Sequence, residues 1–222
     1  MGPTDAKGRR RDLLELAIGY ALILIVIWTP RPWQRLFYCA ATLYLAAVLW
    51  LSFPGWQTLG LRTANLARSL WVAGVALSIA AIAILIAAHI GTLNLPATPA
   101  LFIQRYWGYA LWTFTQQILL QDFFLLRLHR LMHSQRRASV AAAAIFSLAH
   151  LPNPILTIVT FVWGLAACLL FLHYRNLYPL AIAHAILGIA IALTIPGPVT
   201  RNMRVGLGNL TYGRHHINRQ TQ

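Results

Sequence analysis

The chain has 222 residues, 59% of them hydrophobic and 10% charged, where a soluble globular protein carries roughly 25% charged residues; a mean hydropathy of +0.62 excludes a solvated surface of ordinary extent. The acidic residues are Asp5, Asp12, Glu15 and Asp122, so past Leu16 a single carboxylate side chain remains, which narrows the chemistry open to that stretch. The net charge of +14 comes almost wholly from arginine, with Lys7 the one lysine, and the arginines lie between apolar runs without forming a stripe, which points to lipid headgroups and away from nucleic acid.

In chain order, the arginine-bearing start Gly8-Arg9-Arg10-Arg11 leads into an apolar run from Leu13 to Thr29, interrupted only by Glu15 near its first turn and read as a retained membrane anchor. Leu36 to Phe53 and Leu70 to Ala88 are uncharged runs of span length. Tyr106 to Leu126 is a fourth run, broken by polar groups. Val140 to Leu151 has only 12 residues and is too short to cross a bilayer unaided. Ile155 to Leu172 and Leu177 to Ile195 complete the set. Trp28, Trp33, Trp50, Trp56, Trp71 and Trp107 lie near run ends, where amphipathic rings favour the headgroup zone. The expected fold is therefore all-α: a polytopic transmembrane helix bundle of six to seven spans, forming one domain. Residues 1–12 make a basic cytoplasmic N-terminus, 13–195 the bundle and 196–222 a basic, polar, flexible tail. Cys39 and Cys168 both fall in apolar runs and read as two small buried hydrophobes.

Orientation follows from the arginines. Arg9 to Arg11, Arg62 and Arg68, and Arg127 to Arg137 flank alternate loops, while Gly91 to Gln104 carries no charge, which places the N-terminus in the cytoplasm of a cell-membrane protein. Arg175 returns to that side. Seven full crossings would then put Arg201, Arg204, Arg214 and Arg219 outside, against the rule, so either the short fifth helix does not cross or the tail is an exception.

Thr113, Gln117 and Gln121 are each four apart, which sets three polar side chains on one helical face that must turn to the bundle interior or a wet cavity. His150 ends the short fifth helix and His184 lies within the last span, both at depths where polar groups are functional candidates.

These residues, with their order and spacing, resemble the CPBP family of intramembrane proteases, the CAAX-processing and bacteriocin-processing endopeptidases. The likeness covers about Tyr106 to Ile195. The family's glutamate pair falls on Gln116 and Gln117, its arginine on Gln121, and the glycine that commonly follows on Asp122. The second motif stands as Phe146 and His150, followed by Leu151-Pro152-Asn153-Pro154. The third keeps His184 and has Gly188 where the family has an amide or acid. The resemblance implies a CAAX-protease-like bundle in which a glutamate activates water for attack on a peptide bond, with histidines and asparagine stabilising the oxyanion. It further implies a membrane-associated, prenylated, lipid or transmembrane-peptide ligand.

Glutamine cannot take up a proton at neutral pH, so the inherited hydrolytic chemistry is expected to be impaired. Asp122 lies six residues after Gln116, about 120 degrees away around an ideal helix, and replaces neither glutamate in place. It reads as a partner for Arg127 or Arg130, or more sharply as a proton donor or base in altered chemistry. His150 and His184 fall short of the three protein ligands of a catalytic zinc, and a buried histidine more often satisfies a helix carbonyl, so no metal and no cofactor are expected. The glutamines read equally as interhelical glue or as ligand contacts. Trp163 and Cys168 read as packing residues, His89 as lying near the membrane surface, His129 and His133 as part of a solvated arginine face, and His215 and His216 as tail residues. Three functions remain open: an endopeptidase with a rearranged site, a pseudoprotease that binds without cutting, and a lipid- or isoprenoid-modifying enzyme on the same bundle.

Overall fold

In the computed structural model, residues 6–53 and 55–212 are described, and among them every regular element is helical. Each apolar run of the sequence lies in a helix. Helix α1 spans Ala6–Trp28, α2 Gln34–Leu51, the short α3 Leu66–Ser69, α4 Trp71–His89 and α5 Pro99–Ile118. A wide-turn π-helical segment, Leu119–Leu125, continues α5 into α6, Leu126–Met132. Helix α7 is Gln135–Leu148, α8 Pro154–Tyr174 and α9 Tyr178–Thr194. The short α10 (Gly197–Thr200) and α11 (Gly206–Leu210) follow, so the segment read as a flexible tail begins with helical turns. Arg214, Arg219, His215 and His216 lie outside the described residues.

Local chemistry sets several ends. Thr98 accepts a hydrogen bond from the Leu101 N–H at 3.3 Å, and Pro99 occupies the first turn of α5, where its missing N–H costs nothing. Ser134 caps α7 through the Arg137 N–H, which starts that helix five residues before the expected Val140. His133, at φ 52°, closes α6 in the left-handed region.

Three helices are long and apolar enough to cross a membrane: Gln34–Leu51, Leu66–His89 and Pro154–Tyr174, with Tyr178–Thr194 a shorter apolar helix. On the second of these the largest side chains turn outward. Helix α4 buries Val72, Ala76, Ala80 and Ala87 and exposes Ile82, Leu85 and Ile86. Small residues inside and large aliphatic ones outside is the arrangement of a lipid-bathed helix, whose exterior meets hydrocarbon and whose packing relies on close backbone approach. The chain is a membrane protein on this evidence. Cys168 is buried as expected, but Cys39 is exposed on α2 and is not a core residue.

The chain packs as two compact units: Met1–Phe53, Asp122–Leu169 and Met203–Gln222 form one, Pro54–Gln121 and Leu170–Asn202 the other. In the first, α1 packs against α2, α6 and α11, and α6 against α7. Gly19 admits the Phe123 ring, since a Cβ there would stand 2.5 Å from it. Two of the chain's few carboxylates join α1 to α6: Asp12 pairs with Arg130 at 2.5 Å, and Glu15 with Arg127 at 2.8 Å. In the second unit, α9 packs on α4, α5 and α3. Asn176 holds the entry to α9, donating to the Arg62 carbonyl and to Asn65 Oδ1, each at 3.0 Å, and accepting from the Tyr178 N–H at 3.1 Å.

Candidate functional site

The stripe on α5 meets α9 as its spacing requires. Thr113 and Gln117 are fully buried, as is Gln121 in the wide-turn segment. Gln121 Nε2 donates to Gln117 Oε1 at 3.1 Å. With that oxygen engaged, Gln117 presents its Nε2–H to His184 Nδ1 at 3.2 Å. Nδ1 accepts this bond in the tautomer that carries its proton on Nε2. An amide, an amide and an imidazole thus form one directed chain between the two helices. Thr113 stands on the same face but turns its hydroxyl to the Ala110 carbonyl at 2.8 Å, so it serves its own helix.

The sequence nominated more residues than this chain joins. Gln116 is only half-buried and takes no part in the amide chain. One residue on a helix is a turn of about 100 degrees, so neighbours cannot share a narrow face. His150 and Asp122 belong to the other unit. There His150 Nδ1 lies 2.8 Å from the Phe146 carbonyl, with the two rings edge to face at 5.0 Å. The histidine of the second motif therefore serves a helix carbonyl, and the phenylalanine four residues before it is its packing partner.

Asp122 is 3% exposed. Arg127 and Arg130, the arginines nominated as partners for Asp122, hold the carboxylates of Glu15 and Asp12 respectively. Arg127 also donates to the main-chain oxygen of Asp122 at 3.2 Å. A widened turn leaves carbonyls that the guanidinium satisfies, and that competing demand was invisible in the spacing of charges. Among the described residues no three His, Cys, Asp or Glu side chains gather as metal ligands.

Sequence reasoning missed Tyr109. A Cβ on Gly188 would overlap the Tyr109 hydroxyl oxygen and stand 2.6 Å from the ring carbon that bears it, so the phenol fills the space a side chain at 188 would need. The signal was present: Tyr109 is four residues before Thr113 and extends the stripe by one turn.

Residues 113–190 match the family described as Rce1-like, the type II CAAX prenyl endopeptidase. The matched stretch begins within the stripe and includes His150, His184 and Gly188, in keeping with the CAAX-protease resemblance of the motifs. No curated protein and no solved structure matches the chain.

Proposed function

We propose that this chain is a CAAX-protease-like protein of the cell membrane that has lost peptide cleavage and binds a prenylated or other membrane-embedded peptide without cutting it. The observation that carries this reading is the buried contact between Gln117 Nε2 and His184 Nδ1. In the resemblance, residue 117 is one of the positions that activate water. An amide there holds no exchangeable lone pair of useful basicity, and it is already committed at both ends to Gln121 and His184. Loss of a general base alone costs about 100- to 10,000-fold. What remains is a neutral polar strip between apolar helices, suited to recognising a polar backbone carried by a greasy ligand.

The test restores the missing groups. Gln116→Glu and Gln117→Glu together with Gln121→Arg are assayed beside the unmodified chain against an S-farnesylated peptide, with peptide-bond cleavage as the readout. Cleavage confined to the restored protein supports a retired protease. Equal cleavage by both would show that the base is supplied elsewhere. A second reading, a lipid- or isoprenoid-modifying enzyme, draws on the near-complete burial of the Asp122 carboxylate, since buried ionisable groups in membranes commonly move protons. Its mark is an altered product in lipids extracted on expression, lost with Asp122→Asn.

A further inference from the structure

Thr113, Gln117 and Gln121 each make a hydrogen bond, whereas the phenol of Tyr109 makes none with any described residue. It sits against Gly188, which follows His184 by four residues and so shares its face of α9, about 6 Å further along the axis. The glycine matters for what it omits. Any side chain at 188 would displace the phenol, so the pair of residues places a hydroxyl where α9 itself offers nothing polar.

The chemistry of the surroundings narrows what that hydroxyl meets. Tyr109, Thr113, Gln117, Gln121, His184 and Gly188 include no lysine, arginine or carboxylate. Phosphate and carboxylate ligands are held by charge-assisted bonds, usually from arginine, and the strip supplies none. A neutral oxygen is the match. Hydrogen bonds of about 2.8 Å reach such an atom from a phenol, and the spacing of one helical turn sets it beside the His184 level of the same helix.

Resting on the reading of the site as a peptide-binding strip, we infer that Tyr109 contacts the ligand directly, its hydroxyl donating to a carbonyl oxygen of the bound peptide at the level of Gly188. The experiment uses the full chain in lipid nanodiscs and an S-farnesylated tetrapeptide with 13C-labelled carbonyls. Affinity is measured by titration, and the labelled carbonyl stretch by difference infrared spectroscopy. Tyr109→Phe deletes one oxygen and leaves the ring in its notch, so folding is preserved. The variant is expected to bind about 3- to 10-fold more weakly, the effect of one neutral hydrogen bond, and one labelled carbonyl band shifts to higher frequency. Tyr106→Phe, which also removes a phenol from α5, leaves both readouts as in the unmodified chain. If the unmodified chain binds the peptide and Tyr109→Phe binds it equally with an unshifted band, the assignment of Tyr109 is overturned while the binding strip stands. If the unmodified chain binds no peptide, both are overturned.

Discussion

Replacing Gln117 by leucine leaves two buried groups without their partner, Gln121 Nε2 and His184 Nδ1. A buried group stripped of its bond costs about 1–3 kcal/mol in water-soluble proteins. Between membrane helices the measured value of a polar contact averages about 0.6 kcal/mol, because the unfolded chain finds other partners in the bilayer. The second figure moderates the first, and Gln117→Leu is expected to destabilise by about 1–2 kcal/mol in thermal melts of the detergent-solubilised protein. Gln121→Leu costs less, since it also deletes an amide oxygen that is buried without a partner. Gln116→Leu changes stability by under about 0.5 kcal/mol, as befits a half-buried residue outside the amide chain. Were the three variants equal, the directed chain would contribute nothing. The same residues show what was legible beforehand. Four-residue spacing sufficed to place Thr113, Gln117 and Gln121 on one inward face, because helical geometry alone decides it. Spacing said nothing of Thr113's bond to its own helix, which is a choice of rotamer, nor that Gly188 forms a notch, which depends on which neighbour arrives.

Helix positions were readable from apolar runs, although α1, α5 and α7 begin five to seven residues earlier, but the wide turn at Leu119–Leu125 was not, because Leu-Leu-Gln-Asp-Phe-Phe-Leu is an equally good α-helical sequence. What sustains that turn is brought from elsewhere in its unit. Arg127, 2% exposed, donates through Nη1 to the Asp122 and Phe123 carbonyls, through Nη2 to Ser52 Oγ at 3.0 Å and through Nε to Glu15, and its guanidinium lies 4.5 Å over the Phe123 ring. Glu15 also takes Arg11, so one carboxylate serves two arginines in opposite settings. Removing one member of a buried pair typically costs 3–5 kcal/mol, while an exposed pair is worth about 0–1 kcal/mol. Arg127→Met is therefore expected to destabilise by about 3 kcal/mol, near the low end because Glu15 keeps Arg11. Its amides from Phe123 to Leu126 should exchange hydrogen faster than those of α4. Arg11→Gln, at a side chain 58% exposed, should shift stability by under about 0.5 kcal/mol. Equal losses in the two variants would mean that the guanidinium does not hold the turn.

For the molecule as a whole, the arginine distribution leaves the side of the tail undecided, and the directions of the helices within each unit bear on it. In one unit, Tyr174 to Leu177 is tied to the loop before α3: Arg62 and Asn65 donate to the Tyr174 carbonyl, and the Leu177 N–H to the Gly60 carbonyl. At the opposite end of α4, Thr92 donates to the Thr194 carbonyl and the Asn94 N–H to the Leu193 carbonyl. Helices α4 and α9 therefore run in the same direction, and α9 ends on the side of the uncharged loop after α4. The other unit is described by its own contacts. Gly206 lies against Ile27, at the end of α1 remote from Asp12 and Glu15, and its N–H donates to the Leu151 carbonyl at 2.8 Å. Taking the N-terminus as cytoplasmic, as the arginines lead one to expect, we propose that the chain makes seven crossings and that residues 197–212 lie outside. Arg201 and Arg204 then break the positive-inside tendency, which the more numerous arginines of the cytoplasmic loops outweigh. Labelling with a membrane-impermeant maleimide tests this in a background lacking Cys39 and Cys168. Val199→Cys, at a side chain 56% exposed, should react in intact cells. Thr63→Cys should react only after permeabilisation. The reverse pattern would invert the whole chain in the membrane, and labelling of both from one side would require an even number of crossings between residues 63 and 199 and would overturn the proposed topology.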